Sequence, residues 1–244
     1  IFVFIHSRFS RDHLVLSRNY YALLFLRIFG MDKLVFEIHS IPKQKSTWLF
    51  KKVVNSRKVQ IIAITDSLAE KLNCGFDIKN SIRVLPDAHP VSKTIILERL
   101  SAVKAHQTLS GKKETKLKVG YYGSLKDYKG FGIVEKLILD HCQEIDFIIR
   151  SKEELSDDLK SKTLKNGYLP HSEALEEMRE CSCLLLPLVS TKNFNDISDV
   201  TSPLKLFEYL ASGRPIIASR AKVLREILTE EVNCLMADDT AEFY

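Results

Sequence analysis

The residues best equipped for chemistry lie in the run Ser202-Pro203-Leu204-Lys205-Leu206-Phe207-Glu208-Tyr209-Leu210-Ala211-Ser212-Gly213. Ser202 suits a helix cap, Pro203 the first helical position and Gly213 a left-handed stop, so the spacing predicts a short helix with defined ends. The first turn of such a helix offers amide N–H groups without intrahelical acceptors and the positive end of the helix dipole. Together they attract an anion, a phosphate above all, to the turn formed by Ser202, Pro203, Leu204 and Lys205. Glu208 stands among Leu204, Leu206, Phe207, Leu210 and Ala211, and a carboxylate in so apolar a helix requires partners. Two readings satisfy it. Vicinal ribose hydroxyls can donate to it while the helix start holds a phosphate, or it forms an ion pair with Lys205 or another structural cation.

A second constellation is Val119-Gly120-Tyr121-Tyr122-Gly123-Ser124-Leu125, followed by Lys126 and Lys129-Gly130. It reads as a strand, a glycine, a polar turn and then a helix, and the carboxyl edge of a strand in an open α/β sheet is where ligands bind. Gly123 would let a diphosphate approach the backbone, and Lys129 would neutralise it. The pattern is neither a Walker loop nor a G-x-G-x-x-G fingerprint, so alone it carries little.

The elements that must position these residues follow from hydrophobic patterning. Apolar, β-branched runs alternate with helical patterns, the signature of βαβ units and a parallel sheet. Strands are expected at 1–6, 33–39, 59–65 and 82–86, with helices at 14–29, 47–55 and 66–72, the last capped by Thr65 or Asp66. Residues 89–116 are polar and hold one helical piece, 95–105, which places a domain boundary there and gives domains 1–105 and 106–244. Beyond it strands are expected at 117–122, 146–150, 165–169, 183–188, 215–219 and 234–237, and helices at 131–140, 172–179, 203–211 and 223–228. The second half is the more complete Rossmann-like unit.

Composition narrows the classes. At 244 residues the chain has room for two domains, and no stretch of 18 residues is free of charge, so nothing reads as a transmembrane helix and a soluble protein is expected. The apolar opening Ile1-Phe2-Val3-Phe4-Ile5 lacks the basic leader and cleavage site of a signal peptide. A start directly in a strand, without methionine, reads as part of a longer chain. Residues 1–105 carry 17 Lys plus Arg against 8 Asp plus Glu, while the remainder carries 19 against 23. The basic half suits anionic lipid headgroups, phosphorylated acceptors or nucleic acid, or is an ordinary solvated surface. No nucleic-acid-binding motif accompanies it. The five cysteines have no C-x-x-C spacing and fit core thiols in a reducing cytosol; Cys181 and Cys183, two apart, should share one face of a strand.

The joint pattern resembles a known family. Tyr122-Gly123-Ser124-Leu125 with Lys129-Gly130, followed some eighty residues later by the 202–209 run and Gly213-Arg214-Pro215-Ile216-Ile217-Ala218-Ser219, is similar to the family 4 retaining glycosyltransferases (glycosyl transferases group 1) of GT-B fold. Residues 167–182 resemble the family's segment beside the nucleotide base, with Leu169 as the contact, and residues 226–237 the segment after the donor site. In the first half, Phe36-Glu37-Ile38-His39-Ser40 looks like the strand end that carries a histidine into the interdomain cleft, and Val84-Leu85-Pro86-Asp87-Ala88 like the family's Pro-Asn-Gly turn. His39 is alternatively a structural strand-end histidine.

The resemblance implies an α/β, GT-B-like fold: two Rossmann-like domains with parallel sheets facing a cleft, the N-terminal one incomplete. It implies retaining, hexosyl-type transfer of a sugar from a nucleotide diphosphate donor to a saccharide or lipid-linked acceptor, with no metal and no cofactor beyond the donor substrate. His39, Lys129 and Glu208 would be catalytic; Gly123, Ser124, Lys126, Leu169, Ser202, Pro203, Leu204 and Lys205 would bind substrate. A cytoplasmic protein touching the inner face of the membrane peripherally, with no nucleic-acid partner, is the matching expectation. Two positions depart from the family. Val200, beside Asp199, stands where the first of two glutamates is common, and Ser124 stands where an arginine is frequent, leaving Lys126 as its substitute. A sugar-nucleotide epimerase and a non-catalytic nucleotide-binding protein share this architecture and are the alternatives.

Overall fold

Apolar runs such as Leu34–Ile38 and Ile145–Arg150 become parallel strands covered on both faces, which is why they read as near-continuous hydrophobic stretches. The computed structural model describes residues 14–42, 47–88, 116–189 and 203–244. These fall into two compact units, one reaching Pro86 and the other holding everything from residue 116 on.

The first unit is a four-stranded sheet of order β1-β2-β3-β4, formed by Val15–Ser17, Leu34–Ile38, Val59–Ala63 and Ile82–Val84, parallel throughout. Its helices are α1 (Tyr20–Ile28), α2 (Thr47–Val54) and α3 (Asp66–Phe76). Phe50 of α2 is fully buried and meets Phe36 and Phe76 edge-on at centroid distances of 5.8 and 5.1 Å, tying sheet and helices into one core. The expected helix 14–29 is corrected here: a strand occupies its first residues, and the helix begins only after Asn19, whose side-chain oxygen accepts from the amides of Tyr21 and Ala22. Asn19 caps well and extends poorly, so it separates two apolar elements that look continuous. Thr65, not Asp66, caps α3, accepting from the Leu68 amide at 3.1 Å. The expected strand 1–6 and helix 95–105 lie outside the described residues.

The second unit is a six-stranded parallel sheet of β5 (Leu117–Tyr122), β6 (Ile145–Arg150), β7 (Lys165–Gly167), β8 (Cys183–Leu186), β9 (Ile216–Ser219) and β10 (Leu235–Ala237). Between them run α4 (Phe131–His141), α5 (Asp157–Ser161), α6 (His171–Met178), α7 (Leu204–Ser212) and α8 (Lys222–Arg225), with α9 (Thr240–Phe243) after β10. Its order is β10-β9-β8-β5-β6-β7. The chain therefore moves outward from β5 to β7 and then returns to β5's other side, making a topological switch between β5 and β8. Alternation along β5 sends Tyr122 into the core on one face of this sheet and Tyr121 into the core on the other. Cys181 and Cys183 do not share a face. Cys181 is buried on Tyr122's side in the turn before β8, and Cys183 packs toward Tyr121's side, because only Cys183 is in the strand. Core placement holds for Cys181 and Cys234, whereas Cys74 is exposed; all five thiols are free.

Gly130 fixes where the turn after β5 meets β8. Its φ is +73°, and a Cβ there would lie 1.9 Å from the carbonyl oxygen of Pro187, just beyond β8. Only glycine permits both the left-handed conformation and this approach.

Candidate functional site

The turn after β5 opens onto a cavity of about 410 Å³ at the carboxyl ends of β5, β6 and β7. Tyr122, Gly123 and Ser124 line it from the end of β5 and the turn after it, the four residues from Arg150 to Glu153 from the end of β6 and the turn after it, and Tyr168 and Leu169 from the turn after β7. His171 and Ala174 contribute from α6, and Lys205 from the start of α7. Of the residues singled out in the sequence, Gly123, Ser124, Leu169 and Lys205 thus meet in one place. Lys126 and Lys129 lie on the continuing turn, Lys126 just before and Lys129 at the end of a 3-10 element at Asp127–Lys129. The Lys129 ammonium is half-buried and sits 5.5 Å from the Tyr128 ring centroid. Burial first, and then the neighbouring Lys126, holds its pKa below the ordinary lysine value. Among the described residues no carboxylate pairs with it. An uncompensated, half-buried cation on such a turn favours an anion.

The helix of residues 203–211 is present one residue shorter at its start. α7 begins at Leu204 with Pro203, buried and extended, in the capping position, and Gly213 ends it at φ +73° as expected. Ser202, like Asp199 and Val200, lies outside the described residues. Leu204 is exposed, whereas Lys205 is half-buried and reaches the cavity wall. Helix and sheet are joined by the fully buried Tyr209, whose hydroxyl oxygen accepts from the Tyr122 amide at 2.9 Å.

Glu208 has its two oxygens divided between two bases. Oε1 is 2.9 Å from His171 Nε2 and Oε2 accepts from Lys205 Nζ at 2.7 Å. Its side chain is only 14% exposed. Burial pushes its pKa up, but the bonds from Lys205 and His171 outweigh that, and the carboxyl is held below its ordinary value. The ion-pair alternative is therefore the geometry seen, and both bases that satisfy Glu208 also line the cavity.

A buried network beneath the cavity escaped the sequence reading. Arg150 donates through Nε and its second terminal nitrogen to both oxygens of Glu177 at 2.8 and 2.7 Å, and through the remaining one to the Asn166 carbonyl at 2.8 Å. Lys165 Nζ and the Tyr122 hydroxyl, each 3.2 Å away, complete Glu177's partners. Three of Arg150's five N–H donors are engaged in this way, which fixes the side chain as part of the cavity wall. Its place as the last residue of β6 was the available signal. His171 had none, being one of seven histidines in a polar segment.

His39 stands in the first unit just past β2, its Nε2 2.5 Å from Glu37 Oε1.

Among curated proteins none matches the sequence. Among solved structures the fold is similar to that of Anabaena Alr3699/HepE in complex with UDP, at 16% identity and a TM-score of 0.62 over 94% of this chain and 66% of that one. It is also similar to sucrose-phosphate synthase from Thermosynechococcus elongatus, at 15% and 0.61 over 92% and 60%. A third likeness is to an alpha,alpha-trehalose-phosphate synthase (UDP-forming) from Burkholderia vietnamiensis, at 13% and 0.62 over 96% and 65%. The chain spans less than two thirds of the length of each. At such identities the likeness establishes the architecture, a GT-B-like α/β fold with two parallel sheets. The sequence of the second unit goes further: the family described as "Glycosyl transferases group 1" matches residues 116–244, just over half the chain, and the chain belongs to it.

Proposed function

We propose that the protein transfers a hexosyl-type sugar from a nucleotide diphosphate donor to a saccharide or lipid-linked acceptor, with retention and without a metal, in polysaccharide or glycoconjugate synthesis. The observation that carries this reading is the cavity at the carboxyl ends of β5, β6 and β7, with Lys205 in its wall and Lys129 uncompensated on the adjoining turn. UDP in the Anabaena structure, and the UDP-forming name of the trehalose-phosphate synthase, support a donor of that class.

Breaking the bond from sugar to diphosphate places charge on the departing phosphate, and stabilising that charge is the largest demand on the protein. Lys129, helped by Lys126 and by the amides of Leu204 and Lys205 at the start of α7, would take it up. Gly123 and Ser124 would lie along the diphosphate, and Leu169 beside the base. Glu208 would exchange its present partners for the ribose hydroxyls as Lys205 turns to phosphate. His39 would contact the sugar or acceptor. No carboxylate is assigned as a nucleophile, so a front-face route in which the leaving phosphate takes the acceptor's proton fits better than a covalent intermediate.

The basic first half would favour an anionic acceptor or the surface that carries it, which corresponds to a cytoplasmic enzyme in peripheral contact with a membrane. Among the described residues no helix is long and apolar enough to cross a membrane.

The test is a thermal-shift panel of nucleotide sugars followed by NMR of the product's anomeric configuration. A ligand at 100 times its Kd stabilises the folded state by about 2.7 kcal/mol, enough to read as a clear rise in midpoint. No shift with any nucleotide diphosphate would refute the donor site, and an inverted product would refute retention. Binding with neither transfer nor hydrolysis would instead establish a non-catalytic nucleotide-binding protein, the reading that Val200 favours.

A further inference from the structure

Glu37 receives two donors on a single oxygen. Strands β1 and β2 are parallel neighbours with Ser17 opposite Phe36, so Arg18, just past β1, and Glu37, near the end of β2, meet at the sheet's carboxyl edge. A terminal guanidinium nitrogen of Arg18 donates to Glu37 Oε1 at 3.0 Å, and His39 Nε2 approaches the same atom at 2.5 Å. The Glu37 side chain is 16% exposed and that of Arg18 64%, so the carboxylate is enclosed while its cation reaches solvent. Burial raises the Glu37 pKa, but the bonds from His39 and Arg18 prevail and hold it below its ordinary value. An ionised carboxylate can only accept, so the shared proton belongs to His39 Nε2, and the ring nitrogen left for another partner is Nδ1.

We propose that Glu37, anchored by Arg18, is a positioning residue: it fixes the His39 ring through Nε2–H and leaves Nδ1 open to a hydroxyl group of the sugar substrate. The arrangement is chemically that of a buried carboxylate orienting an imidazole, in which the acid sets tautomer and ring angle without touching the substrate. Its kinetic consequence rests on the reading of His39 as substrate-facing; the fixed ring does not.

The experiment uses the whole chain and has two arms. In 1H–15N spectra, His39, identified by the resonance lost in H39Q, should show an Nε2–H protected from solvent exchange. That signal should vanish in E37A and exchange faster in R18A, whose mostly exposed side chain makes loss of the fold a lesser concern. In the kinetic arm, E37A should lower the transfer rate about tenfold or more with the donor Kd within about twofold, and E37Q, which still offers an acceptor, should recover part of it. A His39 Nε2–H that is unprotected in the parent, or unchanged in both E37A and R18A, overturns the proposal. A signal lost in E37A with transfer unaltered leaves the ring geometry standing and overturns the substrate-facing role of His39.

Discussion

Lys205 and Glu208 lie one turn apart on the same helix with their charged atoms 2.7 Å apart, so the carboxylate carries its own cation at the cavity wall. With His171 on the other oxygen, Glu208 is satisfied before any ligand arrives. On the proposed function this becomes an exchange, in which a phosphate would recruit Lys205 and ribose hydroxyls would replace it on the acid. Glu208→Ala should therefore weaken nucleotide diphosphate binding about 10- to 100-fold, the worth of one or two charge-assisted hydrogen bonds. Calorimetry measures this, with circular dichroism unchanged. Equal affinity in parent and variant would make Glu208 a purely structural ion pair.

Lys129 gives a prediction of opposite sign for stability and for binding. Its pKa is held down by burial and by Lys126, so folding opposes its charge at neutral pH. Replacing it with methionine keeps the stem and removes the ammonium. The thermal midpoint of the free protein should rise, by about 1–3 °C, while nucleotide affinity falls about tenfold or more. A variant that loses stability and keeps affinity would contradict the assignment on both counts.

Glu177 supports the cavity from below, and its partners Arg150 and Lys165 make it a buried acid in a closed network. Removing one member leaves a buried charge uncompensated, which costs about 3–5 kcal/mol, so Glu177→Ala should lower the midpoint by about 10 °C. The double change Arg150→Met with Glu177→Leu should regain most of that loss. The pH dependence follows from the same contacts. Glu37, Glu177 and Glu208 are all held below the ordinary value of 4.5 in the folded protein. Their contribution is present above the unfolded pKa and is lost as pH falls through the folded one, so stability should decline below about pH 4.5. Urea midpoints taken from pH 7 to pH 3 check this; an acid limb as steep in the double variant as in the parent would count against the network.

The fold was legible wherever apolar runs were long enough to stand alone, and it failed where two elements share one run. Val15, Leu16 and Ser17 merge with the apolar helix that follows, and only Asn19 divides them. The site was legible where residues are close in sequence: Gly123 and Ser124 on one turn, Lys205 and Glu208 on one helix. It was opaque where strand order creates the contact. Arg150 and Glu177 are 27 residues apart, and His171 and Glu208 37 apart; each pair meets only because the chain crosses back over β5 at the switch. Periodicity gives the strands but not their order, so such pairs leave no local signal.

Two glycines with the same backbone conformation separate strain from contact. Gly130 and Gly213 both have φ of +73°, so alanine at either incurs the left-handed penalty of about 1–2 kcal/mol. At Gly213 nothing lies within 4 Å of the added Cβ, and the cost should stop there. At Gly130 the same atom would meet the Pro187 carbonyl oxygen at 1.9 Å, and backbone cannot step aside as a flexible side chain can. Gly130→Ala should thus be the more destabilising by at least about 2 kcal/mol. It should also displace Lys129 and weaken nucleotide binding, which Gly213→Ala should not. Denaturant midpoints with nucleotide titrations on both variants decide it. Equal losses would mean that conformation alone governs the turn, and that the approach of Gly130 to β8 does not hold the lysines in place.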